Sequence, residues 1–179
     1  MKTDKTILLT LIIITISVIT NSCYKDRENR HYTIPFTNNT EKKLIVTRSY
    51  HPTWLPSLGY PDTLLFSWDP SIGCPGFIVE PYEENNKSAL FNTSFYESCF
   101  RADLDTLRIF VFDADTLEAL GWETVREKYI VLQRYDLSLE DLQYLDFKLC
   151  FPPSEAMRDI HMWPPYGTYD EKGQIVGKK

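Results

Sequence analysis

Histidine is scarce in this chain. Only His31, His51 and His161 occur among 179 residues, and no two stand at H-x-x-H or H-E-x-x-H spacing. Cysteine is sparse too. No two of the four lie within four residues of each other and no histidine neighbours any of them, so no metal site is expected. No cofactor is expected either. Basic charge is in deficit, with 19 Lys and Arg against 25 Asp and Glu, a net charge of −6 and a pI near 5.1, which argues against a nucleic-acid surface. With 7 glycines and 11 prolines, the chain is neither collagen-like nor a Gly/Ser linker. The longest apolar run, Ile7 to Ile19, is too short to span the roughly 30 Å hydrocarbon layer as a stable anchor. No solenoid period is visible. What remains is chain enough for one domain with a core, and an aromatic content of 14%.

That apolar run reads as a signal-peptide core. Lys2 and Lys5 precede it, and Thr20-Asn21-Ser22-Cys23 follows. A small residue directly before a cysteine at this place resembles the bacterial lipobox, with Thr20 where leucine is usual. The resemblance implies cleavage before Cys23 and acylation of its sulfur and new amino group. The alternative is a plain secretory signal with an incidental cysteine. One acyl chain holds a protein at a membrane only marginally, and two or three hold it stably. Without Lys2, Lys5 and Asp4, the 19 basic and 25 acidic side chains become 17 and 24, a net charge of −7. Such a body is repelled by an anionic leaflet, so the lipid at Cys23 has to do the anchoring. Tyr24 to Arg30 is then a polar tether. Its Lys25, Asp26 and Glu28 resemble a surface-export signal of Bacteroidetes lipoproteins, and a solvated spacer is the alternative reading. The expected location is the outer membrane, on its periplasmic face or at the cell surface.

If Cys23 is lipidated, Cys74, Cys99 and Cys150 remain in a compartment that permits disulfides. Cys74 to Cys99 is the shortest closure and would contribute about 3 kcal/mol through the unfolded chain. Three free, partly buried thiols are the alternative.

The mature chain reads as mainly β. Leu145 to Phe151 alternates, with Leu145, Phe147, Leu149 and Phe151 on one face, and Pro152-Pro153 ends it. Leu107 to Phe112 reads as a central strand buried on both faces. Further strands are expected at Ile130 to Tyr135, Lys43 to Tyr50, Thr63 to Trp68, Gly76 to Val79 and Ala89 to Phe95. Two helical pieces interrupt them. Ser138 and Asp141 form a capping box, with Leu137 and Leu142 as its hydrophobic staple. A second piece runs from about Thr116 to Lys128, capped by Asp115 or Thr116 and broken at Gly121. The sum is a single antiparallel β-sandwich of Ig-like, Greek-key type with two short helical segments, a closed barrel being the runner-up. The organisation expected is a signal peptide over residues 1–22, a tether over 23–32, the sandwich over 33–153, and a Pro/Gly-rich tail over 154–179, ordered in part with a turn near its end.

The blocks Asp105 to Asp113, Gly121-Trp122, Leu132 to Leu142 and the closing strand to Pro153 resemble a group of small lipoproteins of gut Bacteroidetes. That resemblance implies a location and a fold, and brings no catalytic residue. Asp62-Thr63-Leu64, Asp105-Thr106-Leu107 and Asp115-Thr116-Leu117 also match the Asp-Ser/Thr-aliphatic pattern of Bacteroidetes O-glycosylation, which would make Thr63, Thr106 and Thr116 acceptors. Ordinary turn and cap chemistry is the alternative.

For chemistry, Asp113-Ala114-Asp115 offers two carboxylates in one turn. A cation site lacks the glycine and terminal glutamate of an EF-hand loop, and a small envelope hydrolase would need a pair about 5–9 Å apart inside a cleft. Strand end and helix cap is the plainer reading of both. Trp54, Tyr60, Trp68, Trp163 and Tyr166 lie in Pro-rich stretches and could form a stiff platform for a protein or a glycan; loop-side core filling is the alternative. The function expected is a non-catalytic, lipid-anchored binding or interaction module.

Overall fold

The computed structural model describes residues 34–50, 65, 71, 76–85 and 106–176. All belong to the unit Tyr32–Lys179. The expected strand at Ala89 to Phe95, and that at Thr63 to Trp68 apart from Leu65, lie outside the described residues.

Among the described residues, eight strands and three helices follow in order: β1 (Phe36–Asn38), β2 (Leu44–Tyr50), β3 (Phe77–Val79), β4 (Glu84–Asn85), β5 (Leu107–Asp113), α1 (Ala114–Leu120), α2 (Trp122–Glu127), β6 (Gln133–Leu137), α3 (Leu139–Tyr144), β7 (Leu149–Phe151), a 3-10 turn (Glu155–Met157) and β8 (His161–Trp163). A five-stranded sheet in the order β3-β2-β5-β6-β8 is antiparallel throughout. A small sheet, β4-β1-β7, is mixed, because β1 and β7 run parallel. The expected all-antiparallel pairing does not include that last pair.

β5 is the central strand, as its composition demands. Leu107, Ile109 and Val111 join a core that also holds Phe36, Leu149 and Phe151 of the small sheet. Phe110 and Phe112 join a second cluster with Leu117, Trp122 and Val125 of α1 and α2. Phe112 meets Trp122 edge-on at 5.7 Å between ring centroids. Alternate residues of one strand thus supply two cores, one shared with the small sheet and one with the helices. The Tyr135 hydroxyl, fully buried, donates to the Cys150 carbonyl at 2.6 Å and ties β6 to β7.

The caps are local chemistry. Ser138 and Asp141 make the expected reciprocal box, at 3.1 Å (Asp141 N to Ser138 Oγ) and 2.8 Å (Ser138 N to Asp141 Oδ2). Leu137 and Leu142 are buried in the same core. α1 is capped by Asp113, whose Oδ1 accepts from the Thr116 N–H at 3.1 Å. The cap therefore sits two residues before the expected Asp115 and three before the expected Thr116, and one side chain both closes β5 and opens α1. Gly121, at φ 76°, separates α1 from α2 as expected.

Three segments differ from expectation. The strand predicted from Leu145 is β7 alone, Leu149–Phe151. Before it, α3 unwinds through Asp146 and Phe147, both at positive φ (50° and 55°), with the Phe147 N–H donating to the Leu142 carbonyl at 2.8 Å. Leu145, Phe147, Leu149 and Phe151 are all buried nonetheless, so a helix-end turn reproduces a strand's alternation. β6 begins at Gln133, while Ile130 and Val131 pack against the helix cluster. The expected tail supplies β8 and then a turn in which Tyr169 bridges Ile175. Gly173 closes that turn at φ 74°, and a Cβ there would meet Thr40 Cγ2 at 2.6 Å.

Candidate functional site

The segments after β7 and β8 enclose a cleft of about 450 Å³, within the size range of small-ligand sites. Pro152, Pro153 and Ser154 form one wall. They lie where they do because proline cannot continue β7 as a ladder donor. Pro165, Tyr166, Gly167 and Thr168 lead into Tyr169, Asp170 and Glu171 as the other wall. Asn39, just past β1, completes the lining.

Hydrogen bonds hold these walls. The Asn39 N–H donates to the Phe151 carbonyl at 2.8 Å. Next to it, buried Asn38 donates to the carbonyls of Lys42 (2.7 Å) and Glu80 (3.0 Å) and accepts from the Thr40 N–H (3.0 Å) and hydroxyl (2.8 Å). The Thr168 hydroxyl donates to the Pro165 carbonyl at 2.7 Å. Asp170 Oδ1 accepts from the Lys172 and Gln174 N–H groups, both at 2.9 Å. The Tyr169 hydroxyl donates to the Leu132 carbonyl at 2.6 Å, its ring stands edge-on to Phe151 at 5.1 Å, and burial pushes its phenol pKa up. Tyr166 packs against the main core. The Arg158 guanidinium lies 5.4 Å over the Tyr166 ring and pairs with Glu155 at 2.9 Å.

A charged cluster occupies the other face of the large sheet. Asp136 Oδ1 lies 2.9 Å from Arg134 Nε and 3.1 Å from Arg108 Nε. Arg134 is fully buried and the Asp136 side chain is 6% exposed. Burial alone would lower the Arg134 pKa, but hydrogen bonds to Asp136 and Tyr129 raise it above the ordinary arginine value. This cluster links β5 to β6.

Of the residues singled out from sequence, Tyr166 lines the cleft. Trp163 does not. It sits on β8 opposite Arg134, 38% exposed, on the far face of the sheet from Met162. The remaining aromatics Trp54, Tyr60 and Trp68, the lipidation site Cys23, the possible disulfide pair Cys74 and Cys99, and Thr63 all lie outside the described residues. Thr106 and Thr116 are half-buried. Cys150 is free and half-buried, its Sγ 3.9 Å from Met157 Sδ, and burial pushes its thiol pKa up. Asp113 has both carboxylate oxygens engaged, by the Thr116 N–H and by Lys42 Nζ. Burial raises its pKa, and these partners more than offset that, leaving it below the ordinary carboxylate value. Asp115 is exposed in the first turn of α1. Among the described residues no three His, Cys, Asp or Glu side chains are placed to hold a metal ion.

The cleft residues that sequence reasoning missed are Asn39, Tyr169, Asp170, Glu171 and the prolines. One signal pointed to them: Pro152-Pro153 and Pro164-Pro165 each end a strand, so the chain has to form two stiff corners there. Comparison of the chain with protein families, with curated proteins and with solved structures finds no match.

Proposed function

We propose that the chain is a non-catalytic envelope lipoprotein, anchored at the outer membrane through acylated Cys23, whose Tyr32–Lys179 unit is a binding module for a protein or glycan partner. The observation that carries the binding reading is the cleft between the Pro152–Ser154 and Pro165–Glu171 walls. It presents aromatic and proline surfaces that the core and internal hydrogen bonds already hold in place, so little side-chain entropy remains to be lost on binding. The hydrolase alternative draws no support from Asp113, which is engaged as a cap and an ion pair. Asp170 and Glu171 are sequence neighbours on one wall, not a pair facing across a scissile bond. The lipobox-like segment and the resemblance of 105–153 to small Bacteroidetes lipoproteins support the location. For the finer fold, we read the two sheets as layers of a sandwich, supported by the core that Phe36, Phe151, Ile109 and Tyr135 share.

Two measurements test this reading. Labelling of cells with radioactive palmitate should mark the wild-type chain and leave Cys23→Ala unmarked; equal labelling rejects the anchor. A photoreactive phenylalanine analogue placed at position 166 should cross-link a partner in cells, while the same group at Tyr144, exposed and outside the cleft, should not. Failure to cross-link at 166, or equal adducts from both positions, rejects the cleft as the binding site.

A further inference from the structure

Resting on the cleft as a binding site, we propose that its occupant is an extended, proline-containing peptide segment of a partner protein that carries lysine or arginine.

The first argument is which polar groups remain. The Thr168 hydroxyl, the Tyr169 hydroxyl and Asp170 Oδ1 are all used inside the walls. A neutral glycan needs a dense set of hydrogen-bonding partners for its hydroxyls, and these walls have spent much of theirs on themselves. What they offer instead is carbon surface, from the side chains of Tyr166, Pro153 and Pro165. Polyproline II segments dock on such surfaces, since their backbone is ordered before binding and their ridges interdigitate with aromatic and proline walls. An extended backbone also leaves its carbonyls seeking donors, and Asn39 and Tyr166, whose side chains carry donors, are among the lining residues.

The second argument is charge. Glu171 and Asp170 lie in the lining, and no cation does. Arg158, stacked on Tyr166, is matched by Glu155. The local field therefore selects a cationic segment and opposes an acidic one.

Fluorescence anisotropy with the detergent-solubilised mature lipoprotein tests the inference. The probes are a labelled decapeptide with proline at every third position and two lysines, and the same peptide with glutamate for lysine. The basic probe should bind at least about tenfold more tightly than the acidic one, weaken with added salt, and lose about three- to tenfold on Glu171→Gln. Tyr166→Ala should weaken it by about tenfold or more. Glu171 is exposed, so the glutamine variant keeps its fold and remains informative if the alanine variant does not. Equal binding of both probes, binding unchanged in Glu171→Gln, or no binding of the basic probe overturns the inference. Calorimetric binding of a neutral cello-oligosaccharide that Tyr166→Ala abolishes, with neither peptide bound, overturns the peptide and leaves the cleft as a site. Loss of cross-linking at position 166 overturns the cleft itself.

Discussion

Asp136 joins two arginines of the large sheet. Its Oδ1 serves two guanidiniums, Arg134 at 2.9 Å and Arg108 at 3.1 Å, and the Arg134 side chain is fully inaccessible. Asp136→Asn keeps the shape and removes the charge that Oδ1 presents to both guanidiniums. Removing one partner of a buried pair costs about 3–5 kcal/mol, because the remaining charge is stranded away from water. Arg108 is 16% exposed and can recover part of its share by moving outward, which places the expected loss near the lower end, about 3 kcal/mol. At a urea slope of about 2 kcal/mol/M, the midpoint should fall by about 1.5 M with the slope unchanged. The assay is urea unfolding followed by tryptophan fluorescence and far-UV circular dichroism together, at low and high salt. The loss should be insensitive to salt, since buried pairs are poorly screened. Joint replacement by apolar residues, Asp136→Leu with Arg134→Met, should recover part of it. Lys148→Ala, which breaks the exposed pair with Asp146, should leave the midpoint where it was. A loss under about 1 kcal/mol for Asp136→Asn, or one that salt abolishes, would refute the reasoning that this cluster is desolvated.

Three further outcomes are expected. Tyr82 stands at φ 55° in the turn Glu80 to Glu83, after Pro81, where a type II turn favours glycine; Tyr82→Gly should stabilise by about 0.5–1 kcal/mol in the same urea assay. Gly173→Ala should destabilise by about 2–3 kcal/mol, since positive φ and the 2.6 Å approach to Thr40 act together, and a neutral result would show that the turn is free to shift. Asp113 binds fewer protons folded than unfolded because its pKa is depressed below 3.8, so its stabilisation is present above that value and is lost as pH falls below it. Asp113→Asn retains a good cap but should flatten the acid limb of a stability-against-pH curve, and an unchanged limb would sink the assignment.

The parts of the fold that could be read from sequence are those set by neighbours along the chain. The Ser138–Asp141 box and the Gly121 break need only a few residues each, and both stand as expected. β5 was legible because both of its parities are apolar, which only a strand covered on two sides tolerates. Burial alternation misled over Leu145 to Lys148, where positive φ at two residues turns the chain while keeping every second side chain inside. Trp163 and Tyr166 were read as one platform, yet Trp163 belongs to the outer parity of β8 and Tyr166 follows the Pro164-Pro165 corner into the cleft. The cleft was legible only in its aromatic and its prolines. Asn39 meets Pro152 because β1 and β7 pair in parallel, and nothing local in either strand announces a partner so far along the chain.

That parallel pair also sets an order of events. Phe36 lies almost at the start of the described chain, and its partner Leu149 near the end. A polypeptide emerging amino-terminus first therefore carries β1 with one edge open until β7 has been delivered. β8 comes later still, and seals the edge of β6. Such long-range closure is slow. A nascent chain halted after α3 would present the unfilled edge of β1 to other chains, so delivery of β7 and then β8 is the step that completes the strand pairing of both sheets.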